Sequence, residues 1–274
     1  MSQLSNQSEA LESARRTDDG VPVLSVRSLR KAYHVNGVER VAVADVSFDV
    51  RLGEFVCVVG PSGAGKTTLL RCLAGLVPPT GGEAFFEGEA LRRVPEQVGV
   101  VFQDYGRSLY PWLTVGRNLA LPLKVRGVDK ATRTDRIEEV LRAVGLAGEA
   151  RHYPWQLSGG MQQRVAIARS LVYRPDLLLM DEPFASVDAQ TRVELEDLIL
   201  RVRDEFNVTV VFITHDIDEA VYLADRVVVL SSSPGVVREI VPVTLPRPRD
   251  QFTTKKDERF AELRRHILEL VMTR

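Results

Sequence analysis

Gly60-Pro61-Ser62-Gly63-Ala64-Gly65-Lys66-Thr67 is the stretch of this sequence with the plainest chemistry. It fits G-x-x-x-x-G-K-[ST]. Glycine-rich backbone can wrap a polyphosphate with its N–H groups, and a following helix adds its positive end. Lys66 would neutralise the outer phosphate oxygens. The hydroxyl of Thr67 is placed to reach a Mg²⁺ ion, and Thr68 continues the helix start. The apolar run GEFVCVVG precedes the motif and the helical run KTTLLRCLAGL follows it, the setting that this chemistry requires.

LLLMDE, Leu177 to Glu182, is a second chemical element. An apolar strand delivers Asp181 to the rim of a sheet, where a carboxylate can hold Mg²⁺ through water. Glu182, directly after it, can orient and polarise a water that attacks a terminal phosphate. Two acids ending a strand mean little alone; beside a phosphate loop they predict nucleotide hydrolysis. The third element is LSGGMQQR, where Ser158 stands before Gly159 and Gly160 at the head of a helix. A serine N-cap suffices to start a helix. Two further glycines predict a close approach of something to that backbone.

Elements must hold these residues in place. Short alternating segments dominate from Val21 to Val50, and Val46, Phe48 and Val50 are expected to share one strand face. GEFVCVVG, DLLLMDE and TVVFITHD are nearly continuous apolar runs, as in strands buried on both faces. From about Tyr105 to Arg174 the pattern is mainly helical. There Ile137, Val140, Leu141 and Val144 form one stripe, and Gly145 is expected to close the helix. RVVVLSSSPGVVREIV reads as a hairpin. DERFAELRRHILELVM reads as an amphipathic helix with Phe260, Leu263, Ile267, Leu270 and Val271 on one side, docked on its own domain. The fold class expected is α/β: a mainly parallel sheet around a phosphate loop, an antiparallel β subdomain and an inserted helical subdomain. The divisions are residues 1–20 as a disordered tail, 21–245 as the main domain with the helical insert at about 105–174, and 246–274 as a C-terminal extension.

The 274 residues carry 45% hydrophobic and 27% charged side chains, enough for a core without staples. A formal net charge of -1 offers no electrostatic footprint for nucleic acid or an anionic membrane, so no nucleic-acid partner is expected. Cys57 and Cys72 lie in apolar surroundings without CxxC spacing and read as buried thiols in a reducing cytosol. No apolar run approaches the ~18 residues of a membrane span. The polar N-terminus lacks a secretory h-region, so attachment to a membrane is expected to come through a partner.

At this point the chain resembles the ATPase subunits of ABC transporters, from about Val23 to about Val241. The landmarks occur in that family's order: Tyr33, the loop at 60–67, Gln103, LSGGMQQR, Asp181 with Glu182, Asp188 in ASVDA, and His215 in ITHD. Val187 departs mildly, standing where the family more often has leucine. The resemblance implies two chains stacked head to tail with ATP and Mg²⁺ between them. The Ser158-Gly159-Gly160 signature of one chain would then cap the γ-phosphate held by the loop of the other, which would account for the paired glycines. Tyr33 is expected to stack on adenine, Gln103 to reach Mg²⁺ and the attacking water, His215 to contact the γ-phosphate, and Asp188 to cross the dimer interface. His34, His152 and His266 are read as surface or structural residues.

VFQDYGRSLYPWLTVGRN, ITHDIDEAVYLADRVVVLSSSPG and LPRPRD look like the subfamily that imports nitrate, alkanesulfonates and taurine, and some cofactor precursors. This implies separate permease subunits, indirectly a substrate-binding protein, and a place at the cytoplasmic face of a bacterial-type inner membrane. The exposed-type aromatics Tyr105, Tyr110 and Trp112 suit a permease groove. Other classes fit less well. A GTPase needs an Asn-Lys-x-Asp-type base reader, which is absent, and a kinase gives the signature no task. Translation-type relatives pair two such units in one chain, and repair-type relatives carry a long coiled coil. An exporter ATPase fits the residues after Gln103 poorly. A regulatory module that binds ATP without turnover is at odds with an intact Glu182.

Overall fold

The computed structural model describes residues 21–103 and 108–273. The expected N-terminal tail and Tyr105 lie outside them. Among the described residues ten strands form in chain order: β1 (Leu24–Val35), β2 (Val38–Val50), β3 (Phe55–Val59), β4 (Gly81–Phe86), β5 (Glu89–Ala90), β6 (Val98–Val101), β7 (Leu177–Asp181), β8 (Thr209–Ile213), β9 (Arg226–Leu230) and β10 (Gly235–Pro242). The helices are α1 (Lys66–Leu73), α2 (Val115–Val125), α3 (Lys130–Ala143), α4 (Gly159–Leu171), α5 (Ala189–Phe206), α6 (Ile217–Leu223) and α7 (Glu258–Met272), with a single turn at Thr253–Lys256. Among the described residues the strand order is β5-β4-β1-β2-β10-β9-β3-β8-β7-β6.

The apolar runs become the parallel centre for a physical reason. Along β3, Phe55, Cys57 and Val59 join one core, while Val56 and Val58 join the other. β8 divides the same way, with Val210 and Phe212 on one side and Val211 and Ile213 on the other. With helices on both faces, neither side of the pleat can be polar. β3 pairs in parallel with β8 and β9, and β7 with β8 and β6. The register sets Ile213 opposite both Val58 and Asp181. The loops after β3, β7 and β8 therefore leave one edge together, where ligands of open α/β sheets bind.

β1, β2, β4 and β5 pair antiparallel at the far side, as the alternation in that region predicts. Val46, Phe48 and Val50 are buried together there. β9 and β10 form the expected hairpin. α3 closes on Gly145, whose φ of 72° lets its N–H reach the Arg142 carbonyl while the Leu146 N–H reaches Leu141. α7 buries Phe260 and Ile267 in the core that also holds α5 and α6, so it is docked rather than free. No described helix is long and apolar enough to cross a membrane.

Candidate functional site

The loop between β3 and α1 encloses a cavity of about 780 Å³, walled by residues 60–68, Ala42, Glu182, His215 and Val271. Gly60, Pro61, Ser62, Gly63, Ala64, Gly65, Lys66, Thr67 and Thr68 all border it. Gly65 stands before α1 with φ 81°, and a Cβ there would fall 2.4 Å from the Ala42 carbonyl oxygen. Only glycine permits both that dihedral and that approach. The first N–H groups of α1 therefore open into the cavity with no side-chain cap over them, an anion cradle by construction.

Lys66 starts α1 and is 7% exposed. Its ammonium donates to the Gly60 carbonyl at 2.9 Å and the Pro61 carbonyl at 3.3 Å, and lies 3.8 Å from Glu182 Oε1. Burial lowers its pKa, while the facing charges of Glu182 and Asp181 oppose that shift. Asp181 ends β7 and accepts from the Thr67 hydroxyl at 3.3 Å. Burial pushes its carboxyl up; the Thr67 hydrogen bond pulls it down and the neighbouring Glu182 charge adds to the rise.

A hydroxyl and a carboxylate paired beside a phosphate cradle are a fitting donor set for Mg²⁺, which takes few protein ligands and completes its shell with phosphate and water. Among the described residues no group of three or more His, Cys, Asp or Glu forms a metal cage.

Glu182 has a left-handed backbone, φ 42°, and its N–H donates to the Ile213 carbonyl at 2.9 Å. A non-glycine residue held there is strained by about 1–3 kcal/mol, and its side chain borders the cavity. Its Oε2 lies 2.9 Å from His215 Nδ1. His215 follows β8 and has a largely exposed side chain, so Glu182 is its principal tether.

The other sequence-predicted residues lie away from this cavity. Tyr33 on β1 is partly exposed, with the Lys31 ammonium 5.3 Å from its ring centre. Gln103 is exposed beyond β6. Ser158 caps α4 by accepting from the Met161 N–H, which leaves its own hydroxyl proton free to donate. Asp188 caps α5 and accepts from the Thr191 N–H at 2.9 Å and the Thr191 hydroxyl at 2.7 Å.

Gly160 has a second constraint. Reading its glycine as room for an approaching partner is incomplete, because a Cβ there would fall 2.5 Å from Thr191 Cγ2 of the same chain. A methyl at 160 would force Thr191 at the start of α5 to shift, so packing within the chain also favours glycine there. Sequence reasoning also missed Ala42 and Val271 as cavity walls. An alanine on a strand and a valine on a terminal helix carry no chemical signal.

A separate groove of about 570 Å³ opens between the β6 edge and the helical region, bordered by Val98, Tyr110, Leu121, Val125, Arg126 and Tyr173. Tyr110 and Trp112 lie on this side with ring centres 5.4 Å apart, and Trp112 is largely exposed.

The family model described as ABC transporter matches residues 43–185. An uncharacterized ABC transporter ATP-binding protein of Methanocaldococcus jannaschii is 46% identical over 248 residues, 90% of this chain and 91% of its own. An aliphatic sulfonates import ATP-binding protein of Burkholderia cenocepacia is 46% identical over 230 residues, 84% of this chain and 82% of its own. A nitrate import ATP-binding protein of Synechococcus elongatus is 44% identical over 236 residues, 85% of this chain but 35% of its own. A solved dimeric ATP-binding cassette in a post-hydrolysis state, bound to ADP and Pi, matches with TM-score 0.70 and 32% identity, covering 80% of this chain and 98% of that one.

Proposed function

This chain belongs to the ABC transporter family of ATP-binding proteins, and we propose that it is the ATP-hydrolysing subunit of an importer for an alkanesulfonate-type solute. The observation that carries the ATPase reading is the convergence of Lys66, Glu182 and His215 on one glycine-built cradle. The loop N–H groups and Lys66 bind the phosphates of ATP. Glu182 orients the attacking water and draws its proton, and His215 contacts the γ-phosphate. Thr67, Asp181 and Gln103 would hold Mg²⁺, which when bound neutralises charge on the outer phosphates. Tyr33 stacks on the base.

A second copy completes the site. Ser158, Gly159 and Gly160 are absent from the walls of the cavity that their own chain forms, as is Asp188. On this reading the cap on the γ-phosphate comes from the signature of another chain, in a head-to-tail dimer. A solved relative is dimeric with ADP and Pi bound, which supports the need for a second copy. ATP binding closes the pair and hydrolysis reopens it, which makes the nucleotide a driver of shape. The groove bordered by Tyr110 and Val125 suits a short helix of a separate permease subunit, whose membrane location this chain would share at the cytoplasmic face.

The cargo rests on likeness to relatives, since the ATPase does not touch it. Deleting the chain from its host and growing the cells on an alkanesulfonate as sole sulfur source tests it, with sulfate as control. Loss of growth and of radiolabelled uptake only on sulfonate supports the reading. Unimpaired sulfonate uptake overturns the cargo and moves it to nitrate or a cofactor precursor, leaving the ATPase mechanism in place.

A further inference from the structure

Behind Glu182 and His215 lies a second, very small cavity of about 10 Å³, the room of one water. Its other walls are Ala185, Arg192, Thr214, Asp216 and Glu219. None of the last four has a role in the chemistry described above. Arg192 belongs to the first turn of α5, four residues after Asp188. Its Nη1 donates to Asp216 Oδ2 at 3.2 Å, and its Nε stands 3.7 Å from Glu219 Oε1. That Nε is buried and has no hydrogen bond, so it faces the Glu219 carboxyl through space.

These groups fix both neighbours of His215. Thr214 donates its hydroxyl to Glu219 Oε2 at 2.6 Å, and its oxygen accepts from the Asp216 N–H at 2.9 Å. The Thr214 N–H donates to the Val58 carbonyl on the strand leading into the phosphate loop. Asp216 Oδ1 accepts from the N–H groups of Asp218 and Glu219 and so starts α6. His215 itself is mostly in solvent and, among the described residues, pairs with Glu182. Its direction is therefore set by residues 214 and 216, and those are set by Glu219 and Arg192. Packing alone does not require this arrangement. A carboxyl that is 4% exposed and faces a guanidinium is costly to desolvate, and an apolar pair would fill the space more cheaply.

We propose that Arg192 and Glu219 are positioning residues, an ionic clip by which the start of α5 aims His215 at the terminal phosphate. This rests on the ATPase reading of the site. The remaining charges around Glu219 are Glu196 on α5, which pairs with Lys255 at 3.3 Å, and the Asp218–Arg264 pair at 2.6 Å between α6 and α7. The Cys57 thiol faces it from β3. Burial raises the Glu219 carboxyl to about 7, and Asp216 and Glu196 add to the rise against Thr214 and Arg192.

The test separates aiming from folding by comparing two nucleotides. Equilibrium affinities for ATP and ADP are measured at about pH 8, where Glu219 is charged, with excess magnesium chloride in a Glu182→Gln parent, so that ATP persists. Arg192→Met is expected to lower ATP affinity at least about threefold and leave ADP affinity unchanged. His215→Ala should do the same, and the double variant should lose no more than either alone. Arg192→Lys should recover part of the loss. Glu219→Gln keeps a partner for Thr214 but removes the charge that Arg192 faces. It is expected to shift the ATP-to-ADP ratio in the same direction, and it serves as the second variant if Arg192→Met melts early. ATP and ADP affinities that fall together, an unchanged ratio, or losses that add to those of His215→Ala overturn the clip. A parent that binds neither nucleotide overturns the reading of the site, and the clip with it.

Discussion

His215 Nδ1 lies 2.9 Å from Glu182 Oε2, and the Glu182 backbone that sets this distance sits at φ 42°. The His215 side chain is 61% exposed and its ring meets Glu182, while its backbone direction follows from residues 214 and 216. His215→Ala should therefore fold with an unchanged melting temperature and lose at least about tenfold in turnover. Steady-state hydrolysis beside a thermal melt checks this; full activity would remove His215 from the reaction.

Gly160 faces Thr191 Cγ2 at a distance no Cβ tolerates. Helix propensity alone favours alanine over glycine by about 1 kcal/mol. Overpacking costs about 1–3 kcal/mol, and Thr191 cannot swing away without breaking its 2.7 Å bond to Asp188. Gly160→Ala should be destabilising on balance. Thr191→Ser, which keeps the hydroxyl and removes the methyl, should restore stability in the double variant. Chemical denaturation of the four proteins gives the coupling; additive effects would contradict it.

Glu219 carries a pH dependence whose sign is fixed. Burial raises the carboxyl from 4.5 to about 7, so the native state holds the proton more tightly than the unfolded chain. Its contribution to stability is full below the unfolded value and declines as pH rises through about 7. The melting temperature of Glu219→Gln minus that of the parent should therefore rise between about pH 5 and pH 8. A flat difference would mean that Glu219 titrates normally.

Ile267 is fully buried under α7. Ile267→Ala should weaken the docking of α7 by about 2–4 kcal/mol. Amide exchange in Glu258–Met272 should then speed up more than exchange in β3. Equal acceleration in both would show that α7 and the sheet open as one unit.

Much of the site was legible because its chemistry is local in sequence. The phosphate loop, Asp181 with Glu182, and His215 each sit at the end of an apolar run. A run that must be buried on both faces is a central strand, and its end is at the sheet edge. The paired β3, β8 and β7 then bring Gly60, Asp181 and His215 together without further information. What was not legible depends on distant side chains. Gly160 needs Thr191 beyond β7, and the Arg192–Glu219 pair joins two helices whose charges look like ordinary solvated faces. Val271 reaches the phosphate cavity only because α7 folds back across α6, and nothing in its own segment signals that return.

On the proposed mechanism two chains share each ATP site and Glu182 drives turnover. Glu182→Gln, purified and run on size exclusion with light scattering with and without ATP and magnesium, tests it most directly. The expected result is a monomer that becomes a stable dimer only with ATP, reverts with ADP, and hydrolyses at least about a hundredfold more slowly than the parent chain. A Glu182→Gln protein that turns over ATP at the parental rate, or that binds ATP yet stays monomeric at every concentration, would contradict it.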